Sequence, residues 1–91
     1  MSNDKEDVLD LYKVMASISM EEDMENFLND LCTCKEIESM AQRVKAAKML
    51  LKGETYDEII KKTNISSATL SRVSKCVKYG KGYKNTLKKK V

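Results

Sequence analysis

The apolar residues of this chain fall three and four positions apart along most of its length, the spacing that lines one face of an α-helix. Val8, Leu11, Tyr12 and Met15 form the first such stripe. The polar Ser2-Asn3-Asp4 precedes it, and Asp4, Glu6 and Asp7 sit near the positive end of the helix dipole, so the pattern predicts a helix from about Asp4 to Ala16. Ser19 followed by Glu22 has capping-box spacing, in which the hydroxyl accepts from an early backbone N–H and the carboxylate reaches back to the cap residue. A second helix is predicted there, with Met20, Met24, Phe27, Leu28 and Leu31 as its apolar face. Thr33 with Glu36 repeats the signal and opens a longer third helix, whose expected buried face is Ile37, Met40, Ala41, Val44, Ala47 and Leu51.

Gly53 is placed to end that helix, because glycine accepts the left-handed backbone that closes one. Thr55 with Glu58 then opens a short helix containing Ile59 and Ile60, and Asn64 stands where a tight turn needs positive φ. Ser66 caps the next helix, Leu70, Val73 and Val77 face inward, and Gly80 and Gly82 mark its end. Over 84–91 the pattern leaves a frayed helix and disorder both open. With no proline, three glycines and little strand alternation, the fold class is all-α.

The 91 residues hold no Gly-, Pro- or Ser-rich linker and leave room for one domain. A chain this short buries only about 60–65% of the surface its unfolded form exposes, so a partner chain has burial to supply. The net charge of +3 hides a strong segregation. Residues 1–38 carry three lysines against eleven acids, a net of −8, while residues 39–91 carry fourteen Lys or Arg against three acids, a net of +11. From Arg72 onward there are eight cations and no acid, which reads either as a solubilising tail or as a surface facing a polyanion.

Catalysis has little to work with. There is no histidine to act as a base near neutral pH, no glycine loop to cradle a phosphate, and no cysteine with an evident base partner. Cys32, Cys34 and Cys76 form no CxxC pair and have no histidine to complete a zinc set, so they read as reduced thiols of a cytosolic protein, with no metal and no cofactor expected. No apolar run approaches the roughly 18 residues of a membrane span, and residues 1–20 are acidic where a secretory signal is basic. The expected location is the cytoplasm, at the nucleoid if the protein is bacterial.

The informative segment runs from Thr55 to Val73 and reads as two helices joined by a short turn. Ile59 and Ile65 are placed to lock the first helix and the turn onto Leu70 and Val73 of the second, which fixes the interhelical angle. The outward face of the second helix then carries Ser67, Ala68, Thr69, Ser71 and Arg72. Small hydroxyls and a methyl let a helix approach base edges closely, and Ser66, at the helix start, brings free N–H groups toward a phosphate. Arg72, Lys75, Lys78 and the Lys61-Lys62 pair are expected at phosphates or the groove edge. Alternatives remain at this point: a helical adaptor that docks the same helix pair on protein, or a basic module that binds nucleic acid without sequence preference.

From Leu31 to Lys78 the chain resembles the Trp repressor superfamily, and more closely its Trp repressor-related branch of YerC/YecD type. The resemblance lies in LCTCKEIESMAQRVKAAKMLLKGETYDEI and SSATLSRVSKCVKYGKGY, above all in Thr33 with Glu36, Arg43-Val44, Leu50 to Glu54, and Ala68 to Arg72. It implies a helical bundle with a C-terminal helix-turn-helix over 55–78, assembled as an intertwined homodimer on palindromic double-stranded DNA. Within one domain over 1–83, residues 1–52 would supply the dimerisation helices, with 84–91 as a basic tail. Two-fold symmetry would set the reading heads roughly 34 Å apart, one turn of B-DNA.

The resemblance also bears on L-tryptophan. Thr33, Arg43 and Arg72 match the family's ligand site, in which the indole lies between the two arginines, whereas Val73 replaces a glycine and Cys76 a serine. The branched Val73 would fill space that a ring needs, and Cys76 is a weak polar partner, so DNA binding without tryptophan is expected.

Overall fold

The structure is a computed structural model that describes residues 4–88. Six helices and no strand occur among the described residues: α1 (Asp4–Ser17), α2 (Glu21–Leu31), α3 (Cys34–Leu51), α4 (Tyr56–Thr63), α5 (Ser67–Tyr79) and α6 (Gly82–Leu87). The described residues fall into two units, 4–37 and 38–88, with the boundary inside α3.

In the first unit, α1 begins with Asp4, Glu6 and Asp7 in its first turn and closes where the Ser17 hydroxyl donates to the Val14 carbonyl at 2.6 Å. Ser2 and Asn3, expected to start this helix, lie outside the described residues. The box predicted at Ser19 and Glu22 does not form. α2 starts at Glu21 with Met20 at the cap position and no side-chain cap bond. Three carboxylates in its first turn, Glu21, Glu22 and Asp23, meet the dipole's positive end instead. The Thr33 box does form: Thr33 N–H donates to Glu36 Oε1 at 2.8 Å, and Glu36 N–H donates to Thr33 Oγ1 at 3.1 Å. Neither α1 nor α2 holds a buried residue, although both carry large apolar side chains.

In the second unit, α3 ends in the double bond of a Schellman motif. Gly53, at φ +89°, donates to the Leu50 carbonyl and Glu54 to the Met49 carbonyl. The buried face of α3 differs from the expected one: Ala46, Ala47 and Met49 are buried, while Ala41 and Val44 are exposed. Ala46 and Ala47 are fully buried, and with Met49, Ile59, Ile65, Leu70, Val73, Val77 and Leu87 they form a continuous core.

Leu87 settles part of the question left open at the C-terminus. It is 8% exposed and belongs to the core, with Tyr83 packed against it, so 84–87 are helical. Gly82 is accordingly the first residue of α6 and does not mark the end of α5. Residues 89–91 of the predicted basic tail lie outside the described residues. Among the described residues, no helix is long and apolar enough to cross a membrane.

Candidate nucleic-acid interface

The helix-turn-helix is assembled from short-range hydrogen bonds onto an apolar base. At the start of α4, Thr55 N–H donates to Glu58 Oε1 at 2.9 Å and Glu58 N–H returns to Thr55 Oγ1 at 3.2 Å. The Thr55 backbone bond first, and its hydroxyl second, hold the Glu58 carboxyl below the usual glutamate range. Glu36 is lowered in the same way by Thr33.

At the other end of α4, Asn64 takes φ +60° and donates to the Ile60 carbonyl at 2.9 Å. Thr63 stands where a helix-turn-helix often has an apolar residue, and its hydroxyl has a use there. It donates to the Ile59 carbonyl at 2.7 Å and accepts from Ile65 N–H at 3.2 Å. Gln42 of α3 reaches the same turn, donating through Nε2 to the Thr63 carbonyl at 2.9 Å. Sequence spacing gives no sign of Gln42, because only the fold brings a residue 21 positions away to that carbonyl.

Ser66 starts α5, accepting from Thr69 N–H at 3.1 Å and donating to Thr69 Oγ1 at 2.9 Å. Both hydroxyls are thereby committed to the cap, and Thr69 is half-buried at the margin of the face. Behind them Leu70, Val73, Ser74 and Val77 are buried. The exposed face carries Ser67, Ala68, Ser71, Arg72, Lys75 and Lys78. Lys61 and Lys62 are exposed on α4, where Lys62 donates to Glu54 at 2.8 Å. That bond raises Lys62 above the ordinary lysine value and leaves Lys61 as the α4 cation without an ion pair among the described residues.

Five residues line an open groove between α3 and α5: Ser39, Arg43, Ala68, Thr69 and Arg72. No carboxylate pairs with either arginine among the described residues. Val73 and Cys76, two further positions compared with a ligand site, do not line this groove. Val73 is 2% exposed in the core, Thr33 caps α3 in the first unit, and Cys76 lines a separate apolar cleft with Val44, Tyr83 and Leu87. Arg43 and Arg72 therefore share an open groove that neither Val73 nor Cys76 lines.

The chain matches the family model described as Trp repressor protein over residues 6–91. It is 44% identical over 70 residues to the uncharacterized protein YerC of Bacillus subtilis (strain 168), a match covering 77% of this chain and 67% of that protein. Two solved structures share the fold. A candidate Trp repressor from Staphylococcus aureus superposes with a TM-score of 0.85 at 33% identity, covering 91% of this chain and 84% of the other. A TrpR-like protein from Eubacterium eligens gives 0.86 at 36% identity, covering 96% and 94%. Sequence, helix order and superposition agree, and the chain belongs to the Trp repressor family.

Proposed function

We propose that this protein is a non-enzymatic, sequence-specific DNA-binding regulator of transcription, which acts as a homodimer and represses by occluding a promoter. The observation that carries the reading is the contrast between the two sides of α5. Leu70, Val73 and Val77 fix the helix to the core, while small polar residues and unpaired cations occupy its exposed side. A helix of that kind fits a major groove: Ser67, Ala68 and Ser71 meet base edges, and Arg72, Lys75, Lys78 and Lys61 meet phosphates. Ser66 and Thr69 shape the helix start that approaches the backbone. Lys62, tied to Glu54, contributes less charge than its neighbour. The site of action is the cytoplasm, at the nucleoid, and the target is a palindrome matched to the two-fold symmetry of the dimer.

L-tryptophan is not required in this reading. The burial of Val73 and the separate cleft that Cys76 lines support this, with Arg43 and Arg72 serving as phosphate partners.

Selection of binding sites from random duplex DNA, run with and without L-tryptophan, tests the whole proposal. The expected result is one palindromic preference, identical in both conditions, with Ser71→Ala changing preference at a single position per half-site at a cost of about 1–3 kcal/mol. Equal binding to all duplexes would mean a non-specific binder, and no binding to DNA would favour a protein-docking adaptor. Saturable heat on titration with L-tryptophan would refute the ligand-free part alone.

A further inference from the structure

The exposed face of α5 continues past the residues assigned to DNA above. Arg72, Lys75 and Tyr79 are spaced three and four apart and share one side of the helix. Tyr79 is 84% exposed, the highest value of the exposed large apolar side chains, and its hydroxyl has no hydrogen-bond partner among the described residues.

The corner that follows runs close against the end of α5. Gly80 lies so close to α5 that a Cβ there would stand 2.7 Å from the Cys76 carbonyl oxygen, so any other residue displaces backbone. Across the corner, Lys84 Nζ donates to the Lys78 carbonyl at 2.8 Å. An ammonium thus covers the end of α5, where unpaired carbonyls concentrate partial negative charge that would repel an anion. Lys78, Lys81 and Lys88 stand exposed around it, and no ion pair engages them among the described residues. Residues 59–91 contain no acid at all. A surface serving solubility alone mixes both signs of charge and leaves no aromatic ring standing among its lysines.

We infer that the α5–α6 corner is a second contact with the DNA backbone. Tyr79 donates its hydroxyl to a phosphate oxygen, and Lys81, beside the Lys78 already assigned above, neutralises a phosphate outside the base pairs met by Ser67, Ala68 and Ser71. Lys84 makes the end of α5 tolerable to that backbone, and Gly80 lets the chain turn close against the helix. The inference rests on the DNA-binding reading and extends it from the helix-turn-helix to α6.

The test uses the full chain and two duplexes of about three helical turns, one of mixed sequence and one enriched from random DNA, titrated by fluorescence anisotropy across a salt series. Lys81→Gln should lower the slope of log K against log salt by about 0.9 for each phosphate it ceases to neutralise, or about 1.8 where both subunits of a dimer touch the duplex. Tyr79→Phe should weaken both duplexes about tenfold with the slope unchanged, because a neutral donor releases no counterion. Both variants should keep the wild-type thermal midpoint and the wild-type preference between duplexes.

Wild-type affinity and slope in both variants would overturn the corner and leave sequence-specific recognition standing. A wild type that binds the two duplexes alike would remove the specific reading, yet the same variant slopes still decide the corner, since phosphates are common to all sequences. Failure to bind either duplex at low salt would end both. A change of sedimentation mass in Tyr79→Phe would also overturn the inference, by assigning that face to a second copy of the chain.

Discussion

Thr55 and Thr33 each start a helix with one hydroxyl and one returning carboxylate, and both boxes predict a contribution to stability that is lost in acid. Replacing Thr55 by alanine removes the acceptor for an early N–H of α4 and should cost about 1 kcal/mol in urea denaturation. Glu36 and Glu58 have lowered pKa values because Thr33 and Thr55 donate to their charged forms. A carboxylate with a lower pKa folded than unfolded binds fewer protons in the folded state. Its contribution is therefore complete above the ordinary glutamate value of 4.5 and is lost as pH falls through the lowered folded value. Glu58→Gln keeps a capping acceptor that does not titrate, so its stability should fall less steeply on acidification than that of the wild type. Equal acid slopes in urea titrations of the two proteins would show that the Glu58 box contributes no pH dependence.

Element by element, α4 and α5 are held at their turn by bonds from three directions: Thr63 to Ile59, Ile65 to Thr63, and Gln42 to Thr63. Gln42→Ala removes only the last of these. It should accelerate amide exchange at Asn64 and Ile65 while the buried part of α5 stays protected, and it should weaken specific DNA binding several-fold by loosening the angle at which α5 is presented. Unchanged exchange at those two amides would show that the bond does not brace the turn. Signals of this turn were legible in the sequence where they are local. Asn64, Ser66 and the Thr55 box each act within three or four residues, so spacing alone reveals them. The box at Ser19 had the same spacing and did not form, because the acidic first turn of α2 begins one residue later and needs no side-chain cap. Gln42 and Tyr79 were illegible for a different reason. The Gln42 bond and the role inferred for Tyr79 depend on what lies across space, and a glutamine or tyrosine in a helix carries no spacing signal of its own.

At the scale of the whole molecule, the apolar residues described in the first unit are exposed or at most half-buried. Val8, Leu9, Leu11, Tyr12, Val14, Met20 and Leu31 are exposed, and none of the residues of α1 or α2 is buried. Val44, on the expected inner face of α3, is also exposed, at 39%. The α3 pattern foretold burial correctly for Ala47 and misjudged Ala41 and Val44, since periodicity identifies an apolar face without saying which chain covers it. Ordering a residue costs about 1–2 kcal/mol of backbone entropy, and the described residues of the first unit offset it only with half-buried side chains such as Met24, Phe27 and Leu28. Burial against a second copy would offset it, so α1 and α2 should be the dimer interface. Sedimentation equilibrium at micromolar concentration should give twice the 10.4 kDa of one chain, and the thermal midpoint should rise with protein concentration. Leu11→Glu, which sets a charge in the α1 face, should shift the mass toward that of one chain and lower the midpoint while leaving the core around Leu70 folded. A wild type that sediments as a single chain, with a midpoint independent of concentration, would remove the two-fold axis and with it the reason to expect a palindromic target.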